Sequence, residues 1–212
     1  LMGYLGYDVV REVEHLPNVP SDDKGFPDGV MSVIGELVAI DHWRQRAVLI
    51  VNVVVPDDAD DATLDATYDE AVSSLENLAS DGARPLDEPL MEPPDPNDEP
   101  PEVTSSMGPV LYGSAVEAAR EHIFAGDVFQ VVLSQRFDVN LDAEPFDVYR
   151  VLRQLNPSPY MYFLRYDDLS VVGASPEPMV RLLDGRVVSR PIAGTRRRGR
   201  TAADDRRMAA EL

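Results

Sequence analysis

Apolar residues recur every three or four positions in four stretches of the chain, which is the spacing of one face of an amphipathic α-helix. The second stretch carries a capping-box pair, Ser114 and Glu117, and Gly126 stands where a C-terminal cap belongs. Thr201 and Asp204 form a similar start for the last helix. The helices predicted from these signals span 64–82, 114–126, 145–155 and 201 onward.

Alternation of apolar and polar residues predicts β-strands between these helices. The clearest hairpin is centred on Asp184-Gly185, the residue pair preferred in a type I′ turn. Gly35, inside the first predicted strand, indicates a bulge. The strands predicted in this way span 31–41, 46–55, 128–137, 160–166, 169–174, 179–183 and 186–190. Antiparallel hairpins interleaved with helices predict an α+β fold built in layers.

Residues 81–102 combine many prolines and acids with almost no large apolar side chains. Such a segment cannot bury enough surface to offset the entropy lost on ordering it. We predict a linker that is most flexible over 92–102. The predicted organisation is an N-terminal region over 1–90, an acidic Pro-rich linker over 91–105 and a second domain over 106–212.

The 212 residues carry a formal net charge of −19, with 38 Asp and Glu against 19 Lys and Arg. Long-range repulsion of phosphates argues against a nucleic-acid partner. An anionic substrate would need a local basic or metal-bearing pocket. Because the acids are scattered over predicted surface and loops, we interpret them as a solubility feature of a protein from an extreme halophile.

The residue types that are missing or rare exclude several kinds of site. Cysteine is absent, so no disulfide framework or thiolate-bound metal is possible, and the three histidines lie far apart. No apolar run approaches the roughly 20 residues of a membrane span, and no basic-then-apolar leader is present. We expect a cytoplasmic protein. Because the chain opens on Leu1 and stops at Leu212 within a helical pattern, we also expect it to be part of a longer protein.

Four motifs, in a consistent order, resemble those of a known enzyme family. They are Gly3-Tyr4-Leu5-Gly6-Tyr7-Asp8, the segment Gly126 to Phe137, Asn156-Pro157-Ser158-Pro159-Tyr160-Met161, and Gly173-Ala174-Ser175-Pro176-Glu177 running on to Pro191-Ile192-Ala193-Gly194-Thr195-Arg196. Together they are similar to the large, chorismate-binding subunits (component I) of anthranilate synthases. The resemblance implies a layered α/β/β/α sandwich of largely antiparallel sheets, with residues 106–212 as the chorismate-binding domain.

Glu177 follows a strand and a proline that interrupts regular strand pairing, which can direct its side chain into a cleft. The resemblance implies that this glutamate is catalytic and protonates the departing C4 hydroxyl of chorismate. A carboxyl group that donates a proton near neutral pH has to be buried or to lie beside another anion. Its position alone leaves open a solvated loop carboxylate.

Gln130 lies on the polar face of the predicted strand 128–137. In the related isochorismate and salicylate synthases, a lysine at the matching place activates water. An amide cannot remove a proton, so the resemblance implies a nucleophile that needs no base, such as ammonia. Losing a general base costs roughly a hundred- to ten-thousand-fold in rate. The glutamine in place of the lysine therefore argues against water as the nucleophile. Gln130 could also simply bond a buried neighbour.

The motif around Gly194 offers a backbone that a ligand can approach closely. Ala193 stands where some aminodeoxychorismate synthases carry a lysine that bonds covalently to the substrate. The resemblance implies that Gln130, Ala193, Gly194 and Thr195 contact chorismate, and that Thr195 also acts in catalysis. A tight turn after Arg190 is the alternative.

A basic run follows this motif, formed by Arg196, Arg197, Arg198 and Arg200. A solvated loop that balances nearby acids and a set of contacts to substrate carboxylates are equally compatible with it.

Pro159, Tyr160 and Met161 match the pocket through which L-tryptophan inhibits enzymes of this family. An aromatic ring beside a thioether suits an indole, although ordinary core packing would use the same residues. The resemblance places the other wall of that pocket upstream of Leu1.

The resemblance implies a Mg2+-dependent lyase whose metal ligands lie downstream of Leu212, so this chain alone is expected to hold no metal and to be inactive. The complete enzyme would convert chorismate and ammonia to anthranilate and pyruvate, in the first committed step of L-tryptophan biosynthesis. A glutamine amidotransferase subunit (component II) would supply the ammonia. Two alternatives stay open: aminodeoxychorismate synthase component I of the folate pathway, which aminates C4 rather than C2, and a non-catalytic tryptophan-sensing module.

Overall fold

The helices and antiparallel strands of the chain fall into two compact units. The computed structural model describes residues 1–86, 88–95, 97–192 and 194–212. The first unit comprises Leu1–Pro89 and the second Leu90–Leu212. Every pairing between the described strands is antiparallel. The predicted mixture of helices and antiparallel strands is therefore confirmed.

The first unit contains two strand pairs and a long helix. Its elements are β1 Met2–Leu5, a 3-10 helix Tyr7–Glu12, β2 Gly29–Ser32, β3 Glu36–Asp41, β4 Arg46–Val51 and α1 Asp61–Gly82. Strand β1 pairs with β2, β3 pairs with β4, and α1 packs on β4. Asp60 caps α1, because its carboxylate accepts a hydrogen bond from the Thr63 backbone N–H at 2.9 Å. The helix ends at Gly82, as predicted.

The strand predicted over 31–41 was wrong as a single element. Residues up to Ser32 belong to β2 and pair with β1, whereas β3 begins at Glu36 and pairs with β4. Gly35 lies in the gap rather than in a bulge, and its carbonyl accepts a hydrogen bond from the Asn52 backbone N–H at 2.6 Å. A strand that changes partners has to leave one ladder before it joins the next. Alternation along the sequence does not report which partner each residue has.

The second unit contains three strand pairs and three helices among its described residues. Its elements are β5 Val103–Ser105, α2 Pro109–Ala125, β6 Phe137–Val139, α3 Pro145–Leu155, β7 Tyr160–Arg165, β8 Ser170–Ser175, β9 Arg181–Leu183, β10 Arg186–Val188 and α4 Ala202–Ala210. The pairs are β5 with β6, β7 with β8, and β9 with β10. At the β9–β10 turn, Asp184 and Gly185 have φ angles of 49° and 74°. These values confirm the predicted type I′ turn.

Helix α2 begins earlier than its sequence signals predicted. Pro109 occupies the first turn, directly after Gly108. The Ser114 hydroxyl donates to the Val110 carbonyl at 3.0 Å, inside the helix, so the predicted capping box was wrong. The predicted end is confirmed, because Gly126 caps the helix with a φ of 83°.

The strand predicted over 128–137 was wrong except at its last residue. Residues 128–136 are irregular, and β6 begins at Phe137. None of the described strands forms a ladder with residues 128–136. Because a strand persists only where its backbone groups pair with a neighbour, the alternating pattern alone does not hold it extended. Pairing begins at Arg136, whose carbonyl accepts from the Ser106 backbone N–H at 2.8 Å.

The contact between α3 and the β7–β8 sheet is the aromatic core of the second unit. The rings of Phe146 and Tyr149 lie 5.1 and 6.0 Å from the Phe163 ring, measured between centroids. Aromatic pairs at these separations add to the stabilisation from apolar burial. Even here, no side chain of the described residues is fully buried. Each strand pair therefore keeps apolar surface in contact with solvent.

Candidate active site

The end of β8 brings together the two parts of the last sequence motif. The Oε1 atom of Glu177 accepts a hydrogen bond from the Ile192 backbone N–H at 2.9 Å. Glu177 is half-buried and Ile192 is exposed. The second carboxylate oxygen, Oε2, has no hydrogen-bond partner within the described part of the chain. One carboxylate oxygen is thus fixed and the other is open to a ligand.

The Ser175 hydroxyl holds the backbone at Glu177. It donates to the Glu177 carbonyl at 2.9 Å and accepts from the Glu177 backbone N–H at 3.2 Å. Between these residues, Pro176 has a fixed φ and no N–H to pair. We refer to Ser175, Glu177 and Ile192 as the Glu177 cluster.

Strand β7 places Tyr160 beside the Glu177 cluster. Tyr160 lies directly opposite Ser175 in the β7–β8 pair. Residues that oppose each other in an antiparallel pair share a face of the sheet. Tyr160, from the predicted L-tryptophan motif Pro159 to Met161, therefore shares a face of the sheet with Ser175, from the motif that contains Glu177.

The three residues of the tryptophan motif do not share that face. Successive residues of a strand point to opposite sides, so Met161 shares its side with Phe163, which packs against α3, and Tyr160 lies on the other side. Pro159 precedes the strand and is exposed. The ring of Tyr160 and the thioether of Met161 therefore do not line one wall together. Their assignment to a feedback site stays a prediction.

The motif around Gly194 is exposed beside the C-terminal residue. A Cβ atom on Gly194 would lie 3.2 Å from Cδ2 of Leu212, so a side chain of this chain already approaches it closely. The Thr195 carbonyl accepts from Nη1 of Arg196 at 3.1 Å. Ala193, the third predicted contact of this motif, lies outside the described residues. The chorismate contacts assigned to this motif stay predictions.

Gln130 is not brought to the Glu177 cluster by any hydrogen bond within the described residues. It lies in the irregular segment 128–136 and is exposed. In the same segment, Gln135 is held, because the Ser105 hydroxyl donates to its Oε1 at 3.0 Å. The predicted role of Gln130 beside chorismate stays a prediction.

One arginine of the basic run is held by an aspartate of α4. Nε and Nη2 of Arg198 donate to the two carboxylate oxygens of Asp205, at 2.8 and 2.6 Å. The Gly199 backbone N–H adds a third bond, at 2.8 Å. These bonds, that of Arg198 first, lower the pKa of Asp205 to about 2, and Asp205 raises the pKa of Arg198. We refer to Arg198, Gly199 and Asp205 as the α4 clasp.

The described residues do not fit a magnesium site. Within residues 1–86, 88–95, 97–192 and 194–212, no group of three or more His, Cys, Asp or Glu side chains is placed to hold a metal ion. Mg2+ prefers several oxygen ligands in octahedral geometry. We therefore derive no chemical step from a metal on these residues.

Within the described residues, no helix combines the length and the apolarity that a membrane span requires.

A known protein family matches the chain over its whole length. The family model for chorismate binding enzymes matches residues 1–212. The chain belongs to the chorismate binding enzyme family. This result confirms the resemblance drawn from the four sequence motifs.

Within the chorismate binding enzyme family, the chain is similar to anthranilate synthases. It is 38% identical to anthranilate synthase component 1 of Acetivibrio thermocellus and 40% identical to that of Cereibacter sphaeroides, in each case over 100% of this chain. It is 38% identical to the chloroplastic anthranilate synthase alpha subunit 2 of Arabidopsis thaliana. The chain spans 42%, 41% and 35% of the length of these relatives.

A solved structure of a family member is also similar. The crystal structure of anthranilate synthase component I from Streptococcus pneumoniae TIGR4 matches with a TM-score of 0.70 and 31% sequence identity. The match covers 87% of this chain and 40% of that chain. The fold described above is therefore that of a part of a family member.

Two residues of the chain described here, Ser175 and Asp205, have partners that the sequence motifs did not predict. Ser175 was part of a motif, but nothing indicated that its hydroxyl bonds both backbone groups of Glu177. Asp205 was not singled out. A basic run followed by acids at a helix start was the available signal for it, because such acids favour the helix N-terminus and can pair with the arginines.

Proposed function

We propose that the complete protein to which this chain corresponds is an anthranilate synthase component I. It converts chorismate and ammonia to anthranilate and pyruvate, in the first committed step of L-tryptophan biosynthesis. The two bacterial relatives named above carry this name, and the chain spans less than half of their length.

The observation that supports this proposal is the hydrogen bond between Glu177 and the Ile192 backbone N–H. It joins the two parts of the motif that the family resemblance links to chorismate, which lie 15 residues apart in the sequence. With Oε1 held by Ile192, the proton would be carried on Oε2, which is open to a ligand. In the proposed reaction, the nitrogen of ammonia bonds to C2 while the C4–O bond breaks. Glu177 donates its proton to the departing hydroxyl, which leaves as water, and pyruvate is then eliminated.

The remaining site residues are part of the same proposal. Gln130, Ala193, Gly194 and Thr195 contact chorismate, and Gln130 is consistent with ammonia as a nucleophile that needs no general base. Tyr160, with Pro159 and Met161, contributes to a site at which L-tryptophan inhibits. Tyr160 is the member of that motif that faces the Glu177 cluster.

The complete protein is also proposed to bind partners. Ammonia comes from glutamine through an amidotransferase subunit, Mg2+ is required, and the strand pairs form part of a layered α/β/β/α sandwich. The Mg2+ ligands are proposed to lie downstream of Leu212.

The test is fluorescence-detected anthranilate formation by the complete protein with chorismate, Mg2+ and an ammonium salt. Glu177→Gln is expected to lower the rate roughly a hundred- to ten-thousand-fold, the usual contribution of a positioned general acid. Glu121→Gln makes the same change of charge at an exposed position of α2 and is expected to keep the rate.

Other results of this assay would point to a different function or a different role for Glu177. Amination of chorismate at C4 would assign the protein to the aminodeoxychorismate synthases. Tryptophan binding without any turnover would favour a sensing module. Equal rates for the unaltered protein and Glu177→Gln would overturn the assignment of Glu177 as the acid.

A further inference from the structure

The backbone at Glu177 is held by a side chain that does not contact the Glu177 carboxylate. Ser175 is the last residue of β8, and its hydroxyl bonds both the N–H and the carbonyl of Glu177, at 3.2 and 2.9 Å. Pro176 removes one backbone rotation between them. The Glu177 backbone is therefore tied to the end of a paired strand rather than to a free loop.

The strand that carries Ser175 is itself held from both sides. Ser175 is paired with Tyr160 across the sheet, and the opposite face of the sheet packs against α3. A Cβ atom on Gly173 would overlap the ring of Tyr162, so that ring lies directly over β8. The two hydrogen bonds of the Ser175 hydroxyl therefore tie the Glu177 backbone to a strand end that is itself held in place.

We propose that Ser175 is a positioning residue for Glu177, whose hydroxyl holds the carboxyl group at the angle that proton donation requires. This inference rests on the proposed function, because it assigns Ser175 a role through the general acid. Ser175 does not itself donate a proton to the substrate. Catalytic groups have to be held within a fraction of an ångström of their productive position, and supporting hydrogen bonds provide this restraint.

The test compares Ser175→Ala and Ser175→Thr in the complete protein, with anthranilate formation as the assay. Alanine removes both hydrogen bonds and is expected to lower kcat about five- to tenfold with little change in KM, the effect of losing one or two neutral hydrogen bonds. Threonine keeps the hydroxyl and suits a strand end, so it is expected to restore most of the rate. Ser189→Ala is the matched control, because among the described residues the Ser189 hydroxyl bonds only the Met179 carbonyl, at 3.3 Å.

A double variant separates positioning from a general structural effect. On a Glu177→Gln background, Ser175→Ala is expected to change kcat by less than about twofold, because the group that it positions is gone. A further loss of the full five- to tenfold would overturn the inference, as would an unchanged kcat in Ser175→Ala. If the unaltered protein makes no anthranilate, the proposed function fails and this inference fails with it. If it does and Ser175→Ala is neutral, only the inference fails.

Discussion

At the scale of single residues, the α4 clasp holds an exposed ion pair in one defined hydrogen-bond geometry. Exposed ion pairs usually contribute little to stability because solvent screens them and long side chains lose entropy. Here the Arg198 fork meets both oxygens of Asp205, and the Gly199 backbone N–H adds a third bond. A Cβ atom at position 199 would overlap the backbone of Asp205, so the close approach depends on glycine.

The clasp is expected to open only in strong acid. The pKa of Asp205 in the folded chain is about 2, below its usual 3.8, so its ionised form is the stabilising one. The contribution is complete above pH of about 4 and is lost as the pH falls through the folded value. A carbon-13 NMR titration of the Asp205 carboxyl group is expected to show a midpoint of about 2 that moves toward 3.8 in Arg198→Gln.

Arg197→Gln is the control for this titration. It removes the same charge from the neighbouring position, where no ion pair with a described residue is present. The Asp205 midpoint is expected to stay low in this variant. Equal shifts in the two variants would contradict the clasp and indicate a general effect of net charge.

At the scale of elements, α3 carries two apolar faces that serve different purposes. Phe146 and Tyr149 pack against β7, as described above. The second face borders an open groove of about 320 Å3. Met91, from the Pro-rich segment, also lines this groove. The groove is lined by Met91, Ala143, Asp147, Val148, Val151, Leu152 and Leu155. The Gln154 side-chain amide also donates to the Met91 carbonyl at 3.0 Å.

Met91 is expected to anchor the Pro-rich segment on α3. Met91→Ala would remove part of the apolar contact, at a cost of about 1 kcal/mol, which is a roughly fivefold increase in local opening. Hydrogen–deuterium exchange of residues 88–95 in the complete protein would measure this increase. Leu90→Ala removes an adjacent side chain that is 93% exposed, and it is expected to leave exchange unchanged. Equal exchange in the two variants would contradict the anchor.

At the scale of the whole molecule, the high net charge and the exposed apolar surface both work against compaction. The formal net charge is −19, and none of the described hydrophobic side chains is buried. Mutual repulsion of the acids opposes compaction, while apolar burial, the main stabilising contribution in most domains, is limited. Screening of the acids is therefore expected to favour the folded state.

Salt is expected to stabilise the complete protein through screening. Raising KCl from about 0.1 M to about 1 M shortens the Debye length from about 10 Å to about 3 Å, which weakens repulsion among exposed acids. The midpoint of thermal unfolding, followed by circular dichroism, is expected to rise. Sorbitol at matched osmolality leaves the charges unscreened, so an equal rise in sorbitol would contradict this explanation.

The sequence by itself determined the features whose causes are local. Helix ends at Gly82 and Gly126, the start of α3 at Pro145 and the type I′ turn at Asp184-Gly185 follow from backbone restrictions that act within a few residues. The family also followed from the sequence, because four motifs in order leave few alternatives.

Apart from the hairpin predicted at Asp184-Gly185, only the tertiary structure decided which segments pair and which side chains meet. The run 128–137 alternates as a strand should, yet β6 begins only at Phe137, because a ladder requires a partner that alternation does not specify. The meeting of Glu177 with Ile192 and of Tyr160 with Ser175 depends on register and chain reversal. Each contact joins residues 15 positions apart, beyond the reach of preferences that act within a few residues, and both bring predicted site residues together.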